Sequence, residues 1–224
     1  MLGPVIGDLL PSCVGLALSP FPIVAVVLLL ATPRGRTNGP AFAAGWVVGL
    51  IVVSVVVLLV AGGADDPDSG TSTVMALVKI GLAGLLLKLA KDNWDKRSVV
   101  GPPQLPKWMD TLETFTTARS FAIGAALSGI NPKNLALTVA AMGSVAQAGL
   151  SSGGDVVAVT IFVVLGSLTI AAPVVAYLVL GERAEGALTT LREWMAANNP
   201  TIMMVICLVF AAKLFGGGLA GLTD

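Results

Sequence analysis

The chain has no histidine. That removes the commonest metal ligand and the side chain that most often shuttles protons near neutrality. Cysteine is nearly as scarce. Cys13 and Cys207 stand far apart, each inside an apolar run, in neither a CxxC motif nor a metal spacing. They read as small buried hydrophobes, which disfavours a thiol-based electron carrier. Charged residues make up 12% of the 224, about half of the roughly 25% usual in a soluble domain. Lys and Arg balance Asp and Glu, which argues against a nucleic-acid footprint. No Asp or Glu occupies the central part of any apolar run, so the carboxylate of a conventional proton relay is missing. Neither a nucleophile–base pair nor a metal cluster stands out, so no enzyme activity, metal or cofactor is expected. No basic segment precedes the first apolar stretch, which therefore does not read as a cleaved signal peptide.

Apolar residues are what the chain does have: 55% of the total, with a mean hydropathy of +0.90. A membrane-spanning helix needs about 20 of them in a row. Six runs qualify, at 5–31, 41–61, 73–92, 119–149, 155–180 and 199–219. Basic residues alternate between the connections. Arg34 and Arg36 follow the first run, and Lys91, Lys96, Arg97, Lys107 and Arg119 link the third to the fourth. Arg183 and Arg192 link the fifth to the sixth, while Asp65, Asp66, Asp68 and Asp155 hold the other side. By the positive-inside rule the basic connections are cytoplasmic and both termini lie outside a plasma (inner) membrane.

Two of the runs contain a fault. "ALSPFP" interrupts the first and "ALSGINP" the fourth. Proline lacks a backbone donor and clashes with the preceding turn. Ala17-Leu18-Ser19 matches Ala126-Leu127-Ser128, and with a one-residue offset Pro22 matches Pro132. The first run crosses inward and the fourth outward. The expected fold is therefore an all-α integral membrane protein of six transmembrane helices in two inverted three-helix repeats, with helices 1 and 4 broken at the Pro motifs. The division is 1–92, a cytoplasmic linker at 93–118, and 119–224. Non-helical backbone is tolerated at membrane depth only when buried or lining a wet cavity, so the breaks are the expected substrate site. Packing kinks are the plainer alternative.

Lys133 directly follows the second fault, flanked by Asn131 and Asn134. An intramembrane ionisable residue is by default a functional candidate. Without a carboxylate partner it invites an anionic or strongly polar group; alternatively it caps backbone carbonyls that the break sets free. Lys79, in the third run, is undecided. Lys88 and Lys213 read as snorkelling residues. Trp108, Leu112 and Phe115 recur at helical spacing, as do Ala184, Leu188, Leu191 and Trp194. Each set suggests a short amphipathic helix lying in the membrane interface. Ala41, Gly45 and Gly49 form a small-residue stripe, read as internal packing with a homodimer interface as the alternative.

The proline-broken first run, the "INPKNLAL" segment and six spans in two halves resemble the lysine exporter superfamily. The "ALSPFPIVAVVLLL" form looks closer to its glycopeptidolipid-addressing branch, which includes sulfolipid-addressing proteins. The resemblance implies export across the inner membrane, of an envelope lipid or glycolipid with a polar or anionic head group. It matches Ser19, Pro20 and Pro22 to one motif, and Asn131, Pro132, Lys133 and Asn134 to the other. With Ser128 and Lys79 these are the candidate substrate-binding residues. An ion-gradient-driven exporter of amino acids is the first alternative. A non-transporting scaffold that recruits lipid-synthesis enzymes is the second.

Overall fold

The computed structural model describes residues 2–62, 71–97 and 107–223. The acidic loop with Asp65, Asp66 and Asp68, and the Pro102–Pro103–Pro106 linker, lie outside the described residues. Among those described there are eight α-helices and two short 3-10 turns, and no strand. In chain order the helices are α1 (Leu2–Ala17), α2 (Pro20–Leu30), α3 (Gly35–Gly62) and α4 (Thr71–Lys96), then α5 (Thr117–Gly129), α6 (Pro132–Gln147), α7 (Ser152–Leu180) and α8 (Glu185–Thr223).

Three of these, α3, α7 and α8, are long and apolar enough to cross a membrane, with mean hydropathies of 2.8, 2.3 and 2.2 over their most apolar stretches. The pair α1–α2 qualifies as a fourth span, bent by 52°. Apolar side chains point outward as well as inward: Leu59 is 72% exposed and Val179 75%. That is the pattern of helices that meet lipid rather than water. The runs expected as spans 3 and 4 fall on α4 and on α5 with α6.

Two local expectations need correction. The segment Lys107–Thr114 is a 3-10 turn, and its Met109 and Leu112, with Phe115 just beyond, are buried in the core. Its apolar side packs against the bundle. Asn38 of α3 is fully buried and holds it there, with Nδ2 donating to the Phe115 carbonyl at 2.9 Å. Trp108 falls outside the described side chains. The second amphipathic stretch is no separate helix either. It is the first half of α8, which runs on through Pro200 without a break. Ala184, in the 3-10 turn before α8, and Leu188 are buried, Leu191 is half-buried and Trp194 is exposed.

The small-residue stripe is consumed inside the molecule. A Cβ at Gly45 would collide with the Phe121 carbonyl, and one at Gly124 with the Phe42 carbonyl. One at Gly49 would meet Ser128 Oγ and stand 2.6 Å from the Ala125 carbonyl. Helices α3 and α5 therefore touch backbone to backbone, which only glycine permits. Other extensive pairings join α4 to α8 and α1 to α7. The glycine-rich C-terminal stretch is helical, and Gly218 packs on α4, where a Cβ would come 2.6 Å from Ile80 Cγ1.

Candidate functional site at the two helix breaks

Both faults are real interruptions, built in the same way. Ser19 is the N-cap of α2, extended at φ −110° and ψ 91°, and Pro20 is its first helical residue. Asn131 is the N-cap of α6, at φ −60° and ψ 122°, and Pro132 is its first helical residue. Proline at a first helical position gives up a donor that has no intrahelical partner anyway, and it pushes the residue before it out of helical geometry. In local build Pro132 resembles Pro20, since each opens the half-helix after a break, while Pro22 lies two residues further along α2. Likewise Ser19 and Asn131 are each the N-cap before that proline. Ser128 lies within the last turn of α5, not at the break. Its hydroxyl donates to the Ala125 carbonyl at 3.0 Å and packs against Gly49.

A helix end leaves its last four carbonyls without intrahelical donors. At the end of α1 and the break beyond it these are the carbonyls of Gly15, Leu16, Ala17 and Leu18, and a side chain reaches each one. Lys133 Nζ donates to Gly15 at 2.8 Å and to Leu18 at 3.4 Å. Ser19 Oγ donates to Leu16 at 2.7 Å. Thr169 Oγ1 of α7 donates to Ala17 at 2.7 Å. Lys133 Nζ also donates to Ser19 Oγ at 2.6 Å. Three acceptors match the three hydrogens of an ammonium group, and Lys133 is only 1% exposed. It also sits at the negative end of the α1 dipole, where a cation is favoured. Of the two roles open to this lysine from the sequence, carbonyl capping is the one the geometry displays.

Asn134 joins the two breaks. Its Nδ2 donates to the Leu127 carbonyl in the last turn of α5 at 2.8 Å, and its Oδ1 lies 3.3 Å from Ser19 Oγ. Asn131 faces its own helix, with Oδ1 accepting from the Lys133 backbone N–H at 3.0 Å. Pro20 and Pro22 are buried, while Pro132 is exposed and Ile130 beside it is 77% exposed. Ser19 is buried at the first break while Leu18 beside it is exposed, so the first break is the more enclosed of the two.

Lys79 does not join this group. It lies half-exposed on α4, beside Gly143 of α6, with no hydrogen bond among the described residues. Lys213 reaches α1 well before its break, with Nζ donating to the Asp8 carbonyl at 3.1 Å. Thr169 was missed from the sequence. The only signal was a hydroxyl in the middle of the apolar run "SLTIAAP", and nothing local says that it faces α1.

A second feature lies away from the breaks. The C-terminal part of α3, the α6–α7 turn and the start of α7 enclose an open cleft of about 740 Å³. Ile51, Val55, Leu59, Leu150, Val159 and Val163 form apolar walls, and Ser152, Asp155 and Thr160 are the polar lining groups. Among the described residues no cluster of His, Cys, Asp and Glu could hold a metal ion.

A bundle of apolar helices, one of them bent at a side-chain-capped break, defines a polytopic α-helical membrane protein. The family is given by a match that runs over most of the chain. Residues 9–220 match the family model described as Sap, sulfolipid-1-addressing protein, and the chain belongs to that family. No curated protein and no solved structure matches it.

Proposed function

We propose that the protein exports an envelope lipid or glycolipid across the bacterial inner membrane, by alternating access about the two joined helix breaks. The observation that carries this reading is the capping of every freed α1 carbonyl by side chains from other elements. Such a joint has a second state available, because side-chain caps exchange partners where a continuous helical ladder does not. Lys133 is the latch in this scheme: it ties the broken end of α1 to α6, and movement of one half against the other transfers its donors to new acceptors. Those acceptors belong to the chain or to a polar head group. Ser19, Asn131 and Asn134 complete the joint, and Thr169 belongs with them.

Two inverted repeats are part of the proposal. One offset relates Ser19 to Asn131, Pro20 to Pro132 and Leu16 to Ser128. Leu16 packs on Gly166 of α7 as Ser128 packs on Gly49 of α3, so the register of the breaks and the register of helix packing agree. The pairing of α1 with α7 mirrors that of α5 with α3, and α2 with α8 mirrors α6 with α4. Under the same offset Lys133 falls on Phe21. The latch is thus one-sided, and α1 meets α6 closely with no comparable contact between α5 and α2. In this arrangement six spans run with both termini outside, 1–92 and 119–224 are the repeats, and 93–118 is the cytoplasmic linker. The wider kinship with lysine exporters belongs to the same reading.

The family description supports a lipid cargo, and so does the apolar cleft, since a lipid carrier needs a groove between helices that meets the bilayer. An amino-acid exporter would instead work through a closed, water-lined cavity. The test is comparative lipidomics of the outer envelope with and without the protein. Loss of one lipid class, restored by the wild-type chain, is expected. An unchanged envelope together with altered amino-acid efflux would overturn the lipid reading.

A further inference from the structure

We infer that the cleft between α3 and α7 is a lipid-binding site, holding an acyl chain of a lipid whose head group offers hydroxyl donors, and no negative charge, to Asp155. This deepens the export reading by giving the cargo a seat and a selectivity.

The α7 side of the cleft is graded. It begins with Ser152 and Asp155 in the first turn and continues with Val156, Val159, Val163 and Val164. From Ser152 to Val164 a helix rises about 18 Å, slightly more than half of a hydrocarbon core of about 30 Å. One polar end followed by one leaflet's depth of apolar wall is the profile of a single lipid. The opposite wall is Ile51, Val55, Leu58 and Leu59 of α3, with no charged group. Both helices are membrane-capable spans, so the occupant enters sideways from the bilayer. The volume of about 740 Å³ lies within the roughly 300–1,000 Å³ range of small-ligand sites.

Asp155 sets the head-group chemistry. Its carboxylate is half-buried at the cleft and forms no ion pair among the described residues. An ionised carboxylate only accepts hydrogen bonds, so hydroxyls fit it, and a phosphate or sulfate placed against it is repelled. Any anionic group on the cargo must sit away from this end.

The test uses the full-length protein in phosphatidylcholine nanodiscs. Two probes carry the same photoreactive diazirine at the acyl terminus: a glucosyl diacylglycerol and a phosphatidic acid. Labelled residues are mapped by mass spectrometry. The expected result is labelling concentrated on the facing walls of α3 and α7, with the glucosyl probe favoured about tenfold over phosphatidic acid. Asp155→Asn keeps an acceptor but removes the charge, and should erase that preference. Val156→Trp, at a position 66% exposed and so tolerant in folding, should lower cleft labelling about tenfold, the equivalent of two methylenes no longer buried. Gel filtration and thermal unfolding confirm that each variant is folded. Three outcomes overturn the inference: equal labelling by both probes in the wild type, labelling spread evenly to outer faces such as Val179 and Val209, or a dimer crosslinked through α3 in place of lipid adducts. Labelling needs no turnover. A protein that labels without exporting keeps the site and loses the transport reading; one that exports without labelling does the reverse.

Discussion

Replacing Lys133 by methionine isolates the latch. Methionine fills a similar volume with no donor, so the packing is nearly kept and the hydrogen bonds are not. Ser19 Oγ retains its bond to the Leu16 carbonyl, so it is not stranded. The carbonyls of Gly15 and Leu18 lose the donor they have. Hydrogen bonds inside membranes contribute about 1 kcal/mol each, so the break should be destabilised by about 2 kcal/mol, or about 30-fold in a local opening equilibrium. Part of this is offset, because burying a thioether costs less than burying an amine. Amide hydrogen exchange in a detergent-solubilised protein reads the effect directly. Amides around the joint, such as Leu18, bonded to Val14 O, and Ile23, bonded to Ser19 O, should exchange about ten- to 30-fold faster, with amides in α4 and α8 unchanged. Lys133→Gln keeps an amide donor and should fall between the wild type and Lys133→Met, in exchange and in export alike. If the lysine instead served only as an anion site, both variants would lose export equally, because neither carries charge, and exchange at the joint would not move. That pair of results would refute the latch.

Thr169→Val removes the donor to the Ala17 carbonyl; about 1 kcal/mol of stability should go, and the effect should be less than additive with Lys133→Met, since both act on one helix end. Gly124→Val forces a side chain into the Phe42 carbonyl and should destabilise by about 3 kcal/mol, the upper part of the overpacking range, seen as lost thermal stability. Gly84→Ala, with no atom within 4 Å of the new Cβ, should be neutral or slightly stabilising. For orientation, single cysteines replacing Asp68 and Arg97 are exposed to an impermeant thiol reagent applied from outside. Position 68 should react and position 97 should not; the opposite pattern inverts the topology.

The breaks were legible because Ser-Pro and Asn-Pro pairs carry their own mechanism, an N-cap followed by a residue that suits the first helical position. Their limits are instructive. Asn-Pro occurs again at Asn199–Pro200, and there α8 runs straight through. Pro11, Pro40 and Pro173 also sit inside unbroken helices. What separates Asn131 from Asn199 is tertiary: Lys133 reaches across to α1 and Asn134 ties α5 to Ser19. No local pattern contains those contacts. The same applies to the string match that paired Pro22 with Pro132. It followed shared letters, while the proposed repeat pairs the residues that start each half-helix. The glycine stripe of α3 was readable as close packing, but the partner, α5, became visible only in three dimensions. The apolar face of the 107–114 segment packs on the bundle, a contact its sequence does not reveal, because an apolar periodicity does not say which apolar phase it meets. The cleft escaped notice because its walls are ordinary valines and leucines drawn from separate helices.

The most direct test of lipid export through the joined breaks is a pulse-chase with labelled lipid precursor, in cells with the wild-type chain, with Lys133→Met, and without the protein. The labelled cargo is followed separately in the inner membrane and at the outer surface. Synthesis should continue in all three, with label accumulating in the inner membrane and failing to reach the surface when the protein is absent, and a reduced rate of appearance for Lys133→Met at equal protein abundance. If synthesis itself stops without the protein, or if label reaches the surface at the wild-type rate, export by this chain is contradicted.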